Sequence, residues 1–207
     1  MNGILASPPW GFFALVAYVP EPLGAFLQQM RETLPGNDRS PAHITLLPPR
    51  RLKIPVEAAV EQARAILDDF PAFNVELCRV CRFPETKFLY LDVTEGSAFI
   101  RDLHKALNTG DLYDTEEFEF QPHLTLGGPV SPAVLDAVQQ QCELNWGASH
   151  CAPRLTIREI AFLWLSPGSP QSEWRQVLTH RLSPSESRST AAAATLRSRT
   201  STTDPQR

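Results

Sequence analysis

Two hydrophobic spacings take turns along the chain. Phe12-Phe13-Ala14-Leu15-Val16-Ala17-Tyr18-Val19 is a short, nearly continuous apolar run, the pattern of a core strand. From Pro22 to Leu34, Leu23, Phe26, Leu27, Met30 and Leu34 recur three and four apart, which predicts a helix with one buried face. Pro35-Gly36-Asn37-Asp38 is turn chemistry. Ala42 to Leu47 reads as a short strand stopped by Pro48-Pro49, because proline cannot donate to a ladder. Arg50, Arg51 and Lys53 then fall in a loop. A helix from Pro55 to about Asp69 turns Ala59, Ala63, Ile66 and Leu67 inward, and Phe73 to Phe83 is a further strand.

The order then recurs. Lys87 to Val93 alternates as a strand, and Ser97 is placed to cap a helix running to Asn108 and closed by Thr109-Gly110. Phe118 to Leu126 is a strand broken by Gly127-Gly128-Pro129, and Ser131 caps a helix to Cys142. Leu155 to Leu165 and Trp174 to Leu182 are the last strands. Both halves read strand, helix, strand, helix, strand, and His43 and His123 occupy matching places 80 residues apart. Two copies at so long a period are not a solenoid. They predict a duplicated α/β unit: two lobes, about 10–83 and 86–182, related by a pseudo-two-fold axis around a central cleft, with strand exchange between them left open.

Composition narrows the class. The 207 residues are 43% hydrophobic and 20% charged, which suits a soluble domain over residues 1–182. A net charge of −4 argues against a chain that coats nucleic acid through general basicity, while leaving room for a local basic pocket. No apolar run is long enough to span a bilayer and no basic leader precedes one, so a cytoplasmic protein with no membrane partner and no obligate protein partner is expected. Cys78, Cys81, Cys142 and Cys151 are expected as free thiols. Cys78 and Cys81 form a CxxC inside a strand-like run without a second pair, so they read as small buried hydrophobes rather than zinc ligands. From Ser183 onward Ser, Thr, Ala and Arg replace large apolar residues, and residues 183–207 are expected to form a disordered tail.

The candidate chemistry lies in two triplets, His43-Ile44-Thr45 and His123-Leu124-Thr125. In a strand, residues two apart share a face. Each triplet therefore presents a histidine and a threonine together, with Ile44 and Leu46, or Leu124 and Leu126, packed behind. A proline precedes each histidine, Pro41 by two places and Pro122 by one. Imidazole titrates near neutrality, so one ring can take a proton from a nucleophile while its protonated partner gives one to a leaving oxygen. Threonine hydroxyls can donate to non-bridging phosphate oxygens. No acidic ligand cluster accompanies the triplets, which points away from a two-metal nuclease, and neither metal nor cofactor is expected. A lone His-x-Thr is weak, since a histidine in any strand can have a threonine two places on. Matched strands, matched downstream breaks and matched places in the repeat make the pair specific. His104 is expected at a surface or as a cap, and His150 and His180 receive no role.

Ala42-His43-Ile44-Thr45-Leu46 and Pro122-His123-Leu124-Thr125-Leu126 resemble the paired signatures of the 2H phosphoesterase superfamily, which includes the RNA 2′,3′-cyclic phosphodiesterases often named 2′-5′ RNA ligases in bacteria. The resemblance spans roughly residues 10–182 in element order. It implies a bilobal α+β fold, with an antiparallel sheet in each lobe, outer helices and the site in the central groove. It implies His43 and His123 as the catalytic pair, one as acid and the other as base, with Thr45 and Thr125 binding phosphate; which is which stays open, with His43 preferred as the acid. The implied reaction opens a 2′,3′-cyclic phosphate, on an RNA end or a small nucleotide, to a 2′-phosphomonoester without a metal. A 2′-5′ RNA ligase, a 2′-5′ phosphodiesterase and a non-catalytic nucleotide- or RNA-binding module are the alternatives. Tyr90 and Phe88 are candidates to stack on a base, and Arg50, Arg51 and Lys87 to meet phosphate.

Overall fold

The computed structural model describes residues 10–36, 40–170 and 173–184. In chain order these form β1 (Phe12–Tyr18), α1 (Leu23–Glu32), β2 (His43–Arg51), α2 (Val56–Leu67), β3 (Phe73–Arg82), β4 (Leu89–Val93), α3 (Ser97–Leu107), β5 (His123–Gly127), α4 (Leu135–Gly147), β6 (Arg154–Ile157), β7 (Glu159–Leu165) and β8 (Arg175–Arg181). The strands make one α+β sheet in the order β6-β3-β4-β5-β2-β1-β7-β8, and every pairing between named strands is antiparallel. None of the described helices is long and apolar enough to cross a membrane.

Alternation decides which face of the sheet is core. Ile44, Leu46, Leu124 and Leu126 have no accessible surface, and α3 packs on β2 and α1 on β5 behind them. Each such side chain contributes roughly 1.5–3 kcal/mol of burial. The sheet also curls. Arg158 alone separates β6, which pairs with β3, from β7, which pairs with β1 at the other side of the order. Beyond β8, the Ser183 carbonyl accepts a 2.7 Å bond from the Ala72 amide, just before β3. The two sides of the sheet are thus drawn toward each other, and the face away from the helices is concave.

Several boundaries differ from the sequence reading. Pro48-Pro49 does not end β2, and Arg50 and Arg51 are strand residues. The register between β1 and β2 slips between Phe13 and Leu15, and β2 meets β5 only at Ile44, so the prolines sit where no ladder bond is required of them. Phe118 to Pro122 lies outside β5. Leu155 to Leu165 is two strands with different partners. Gly96, in a left-handed conformation (φ 82°), precedes α3 in place of a serine cap, and Val134 rather than Ser131 precedes α4. Cys78 is exposed. Ser183 is bonded into the fold, whereas the remainder of the expected tail, from 185, lies outside the described residues.

Candidate active site on the concave face

β2 and β5 touch through one paired position, Ile44 with Leu124, both fully buried. Antiparallel geometry then sets His43 across from Thr125 and Thr45 across from His123, with all four side chains on the concave face. The histidines lie on one diagonal of this square, with Cβ atoms about 7–8 Å apart, a gap that admits a phosphoryl group. The neighbouring strands extend both rows. Tyr18 lies beside His43 and Val16 beside Thr45 on one side, and Tyr90 lies beside Thr125 and Asp92 beside His123 on the other.

Both imidazoles are held in the same way. Nδ1 of His43 is 2.7 Å from the Pro41 carbonyl oxygen, and Nδ1 of His123 is 2.6 Å from that of Gln121. A carbonyl only accepts, so each Nδ1 carries a proton, and proton exchange is left to Nε2. The Thr125 hydroxyl lies 3.2 Å from Nε2 of His123. Phe83 and Tyr90 meet the His123 ring edge-on at 5.0 and 5.4 Å, and stack on each other at 4.1 Å. Burial pushes the pKa of His123 below its ordinary 6.5. The nearby His43 charge adds to that lowering, and the Gln121 carbonyl partly offsets it. His123 is therefore neutral near pH 7, the form that accepts a proton. The Asp92 carboxylate, across from it, is engaged with the Arg79 amide at 2.5 Å and the Arg79 guanidinium at 3.5 Å.

A cavity of about 760 Å³ opens from Thr45 and His123 past Phe83 and Tyr90. Its far wall is the 114–121 segment, and Glu85, Asp114, Glu117 and Glu119 line it. Arg50 also borders this cavity, but its guanidinium is buried and engaged: Glu116 at 2.5 Å, Asn108 at 2.6 Å and the Leu112 carbonyl at 3.4 Å. His104, expected at a surface or as a cap, is buried. Its Nδ1 is 2.7 Å from the Leu46 carbonyl, its Nε2 is 3.3 Å from Glu116, and its ring stacks on Phe120 at 3.7 Å. His180, which received no role, is also buried, 3.6 Å from Asp68.

The structure thus brings His43, Thr45, His123 and Thr125 together and gathers the other candidates only in part. Tyr90 is at the site but 6% exposed, its ring covered by Phe83 and its hydroxyl accepting a 3.0 Å bond from Gln121. Phe88 packs against Gly128 instead of lining the cavity. Lys87 sits in a turn at φ 61°, its amine donating to the Pro84 carbonyl. Arg51 is an exposed residue at the end of β2. Phe83, Gln121 and Tyr18 were not singled out from sequence. Gln121 alone carried a signal, since it stands two residues before His123 as Pro41 does before His43.

A family model described as the 2′-5′ RNA ligase superfamily matches residues 19–168. Among curated relatives, "Putative phosphoesterase GK0864" of Geobacillus kaustophilus is 28% identical over 142 residues, 64% of this chain and 78% of that one. A "Putative phosphoesterase" of Staphylococcus aureus is 25% identical over 142 residues, 68% of this chain and 80% of its own. Among solved structures, E. coli LigT complexed with phosphate superposes with a TM-score of 0.59 at 16% identity, covering 86% of this chain and 99% of LigT. TT0787 of Thermus thermophilus superposes at 0.55 with 14% identity, covering 84% and 99%.

Proposed function

The chain belongs to the 2′-5′ RNA ligase superfamily, the 2H phosphoesterases, and from that premise we propose that it is a phosphodiesterase that opens 2′,3′-cyclic phosphates of nucleotides or RNA ends to 2′-phosphomonoesters. One observation carries the reading. Two imidazoles, each oriented by the carbonyl two residues before it, share a face with two threonines in a crossed square. E. coli LigT, which shares the fold, has been solved in complex with phosphate and with 3′-AMP, which supports a nucleotide phosphate as the ligand class.

In this mechanism the phosphorus sits between the histidines, and the threonine hydroxyls donate to its non-bridging oxygens. Neutral His123 takes a proton from water at Nε2 as the water oxygen bonds to phosphorus. The bond from phosphorus to the 3′-oxygen breaks, and protonated His43 gives its Nε2 proton to that oxygen. His123 leaves the reaction protonated and His43 neutral, and solvent exchange resets both. With a ribose 5′-hydroxyl in place of water, the same step makes a 2′-5′ bond. The same reading takes residues 10–83 and 86–182 as duplicated halves. The exchanged pairings of β3 with β4 and of β7 with β1, either side of the β5–β2 junction, support it.

The test is hydrolysis of 2′,3′-cyclic AMP in excess EDTA, with product identification. Turnover to 2′-AMP is expected, falling by about 10²–10⁴ in His43→Ala and in His123→Ala with far-UV spectra unchanged. Wild-type rates in both variants, or loss in EDTA restored by a divalent metal, would overturn the mechanism. Turnover of a 2′-5′ dinucleotide alone would favour the 2′-5′ phosphodiesterase reading.

A further inference from the structure

A second cavity, of about 530 Å³, lies on the same concave face at the His43 end of the site. Tyr18 lines it and meets the His43 ring edge-on at 6.2 Å, so this cavity adjoins the site at His43. Ladder register places its floor in the catalytic rows: Thr179 lies across from Ala161, Ala161 from Val16, and Val16 from Thr45. Two strand spacings, about 10 Å, separate β7 from β2, a distance that an arginine side chain partly closes.

The charges of the two cavities are opposite. In the space beside His123, Glu85, Asp114, Glu117 and Glu119 make a negative wall, and its bordering arginine, Arg50, is neutralised by Glu116. In the space beside Tyr18, the carboxylate of Glu159 is paired with Arg181 at 3.1 Å, and Arg158 has no carboxylate within salt-bridge reach among the described residues. Arg158 stands at the β6–β7 break, exposed, and lines the cavity. Thr179 complements it. Its oxygen accepts a 2.6 Å bond from the Gln176 amide, which directs its own hydroxyl proton elsewhere. A guanidinium and a hydroxyl donor with no competing unpaired carboxylate form a phosphate-recognising pair.

We propose that the Arg158 cavity is a subsite for a second phosphoryl group, the 5′-phosphate of the nucleoside whose 2′,3′-cyclic phosphate lies between the two motifs. This rests on the phosphodiesterase reading for the identity of the first phosphate. It orients the substrate: the anionic 5′ side points toward Arg158, and the uncharged nucleoside faces the aromatic and acidic wall. The preferred substrates are then 5′-phosphorylated cyclic nucleotides and the cyclic ends of RNA chains, in which that phosphate links to the preceding residue.

Binding and turnover test this separately. Titration calorimetry compares adenosine 2′,5′-bisphosphate with 2′-AMP on the wild type, Arg158→Ala and Arg158→Lys. The wild type should bind the bisphosphate about 10- to 100-fold more tightly, the range expected for one charge-assisted contact. Arg158→Ala should lose that preference, Arg158→Lys should keep part of it, and 2′-AMP affinity should stay unchanged in both. No preference in the wild type, or an undiminished preference in Arg158→Ala, overturns the subsite. In parallel, 2′,3′-cyclic AMP with and without a 5′-phosphate is assayed for hydrolysis. If neither is hydrolysed while the binding preference holds and depends on Arg158, the phosphodiesterase reading fails and the subsite stands.

Discussion

His43 and His123 obtain their tautomer from carbonyls two residues upstream, Pro41 and Gln121. The repeated contact leaves Nε2 of each ring for proton exchange, and burial holds His123 below its ordinary pKa. With His123 held below 6.5, the acid limb of kcat/KM should fall below that value, because the base must be neutral. A pH–rate profile checks this, and an acid limb above 6.5 that persists in His43→Ala would remove His123 from the base role. Folding stability carries the same sign. The unfolded chain binds the His123 proton more readily than the folded one, so this residue's contribution is full above about pH 6.5 and declines as pH falls through that range. Thr45→Val should lower kcat by about 10²-fold with little change in KM, the pattern of a donor that acts mainly on transition-state charge. The residue types of this site were legible in the sequence because a two-residue period fixes which side chains share a face. The fate of Arg50 was not, since its partners Asn108 and Glu116 lie 58 and 66 positions away.

At the scale of elements, the 108–121 segment is tied down from beneath. Glu116 joins Arg50 and His104, Phe120 stacks on His104, and Gln121 at its end orients both His123 and Tyr90. Glu116→Ala leaves the buried Arg50 guanidinium without its carboxylate and should lower stability by about 3 kcal/mol, measured by urea unfolding. Hydrogen exchange across 108–121 should rise in the same variant, and unaltered exchange there would show that the segment is held by other means. A close approach joins α1 to β5. Gly36 has φ 71°, and a Cβ on it would fall 1.6 Å from the Gly128 carbonyl oxygen, while the Gly128 amide donates to Pro35 at 2.7 Å. Helices were readable from apolar spacing, but the ends of strands were not. Local proline chemistry suggested that β2 stops at Pro48, yet a register slip and a missing neighbour let it continue.

At the scale of the molecule, the two motifs meet across a seam of one paired position, Ile44 with Leu124. Ile44→Ala should lower stability by about 2–5 kcal/mol. It should also reduce kcat in the fraction that stays folded, because the seam sets the spacing of both histidines. A variant with lower stability and unchanged kcat would show that the seam does not govern the site. From the sequence alone came the two His-x-Thr pairs, the helices, the alternation that hides Ile44 and Leu124, and the matched order of the two halves. These depend on periodicities of two and 3.6 residues, which act within a few positions of the chain. Tertiary structure alone decided that His43 lies across from Thr125 and Thr45 from His123, that Leu155 to Leu165 serves two different neighbours, and that Arg50 is engaged while Arg158 is exposed and lines the second cavity. Strand register and ion pairing join residues far apart in sequence, and no local spacing encodes which of them will meet.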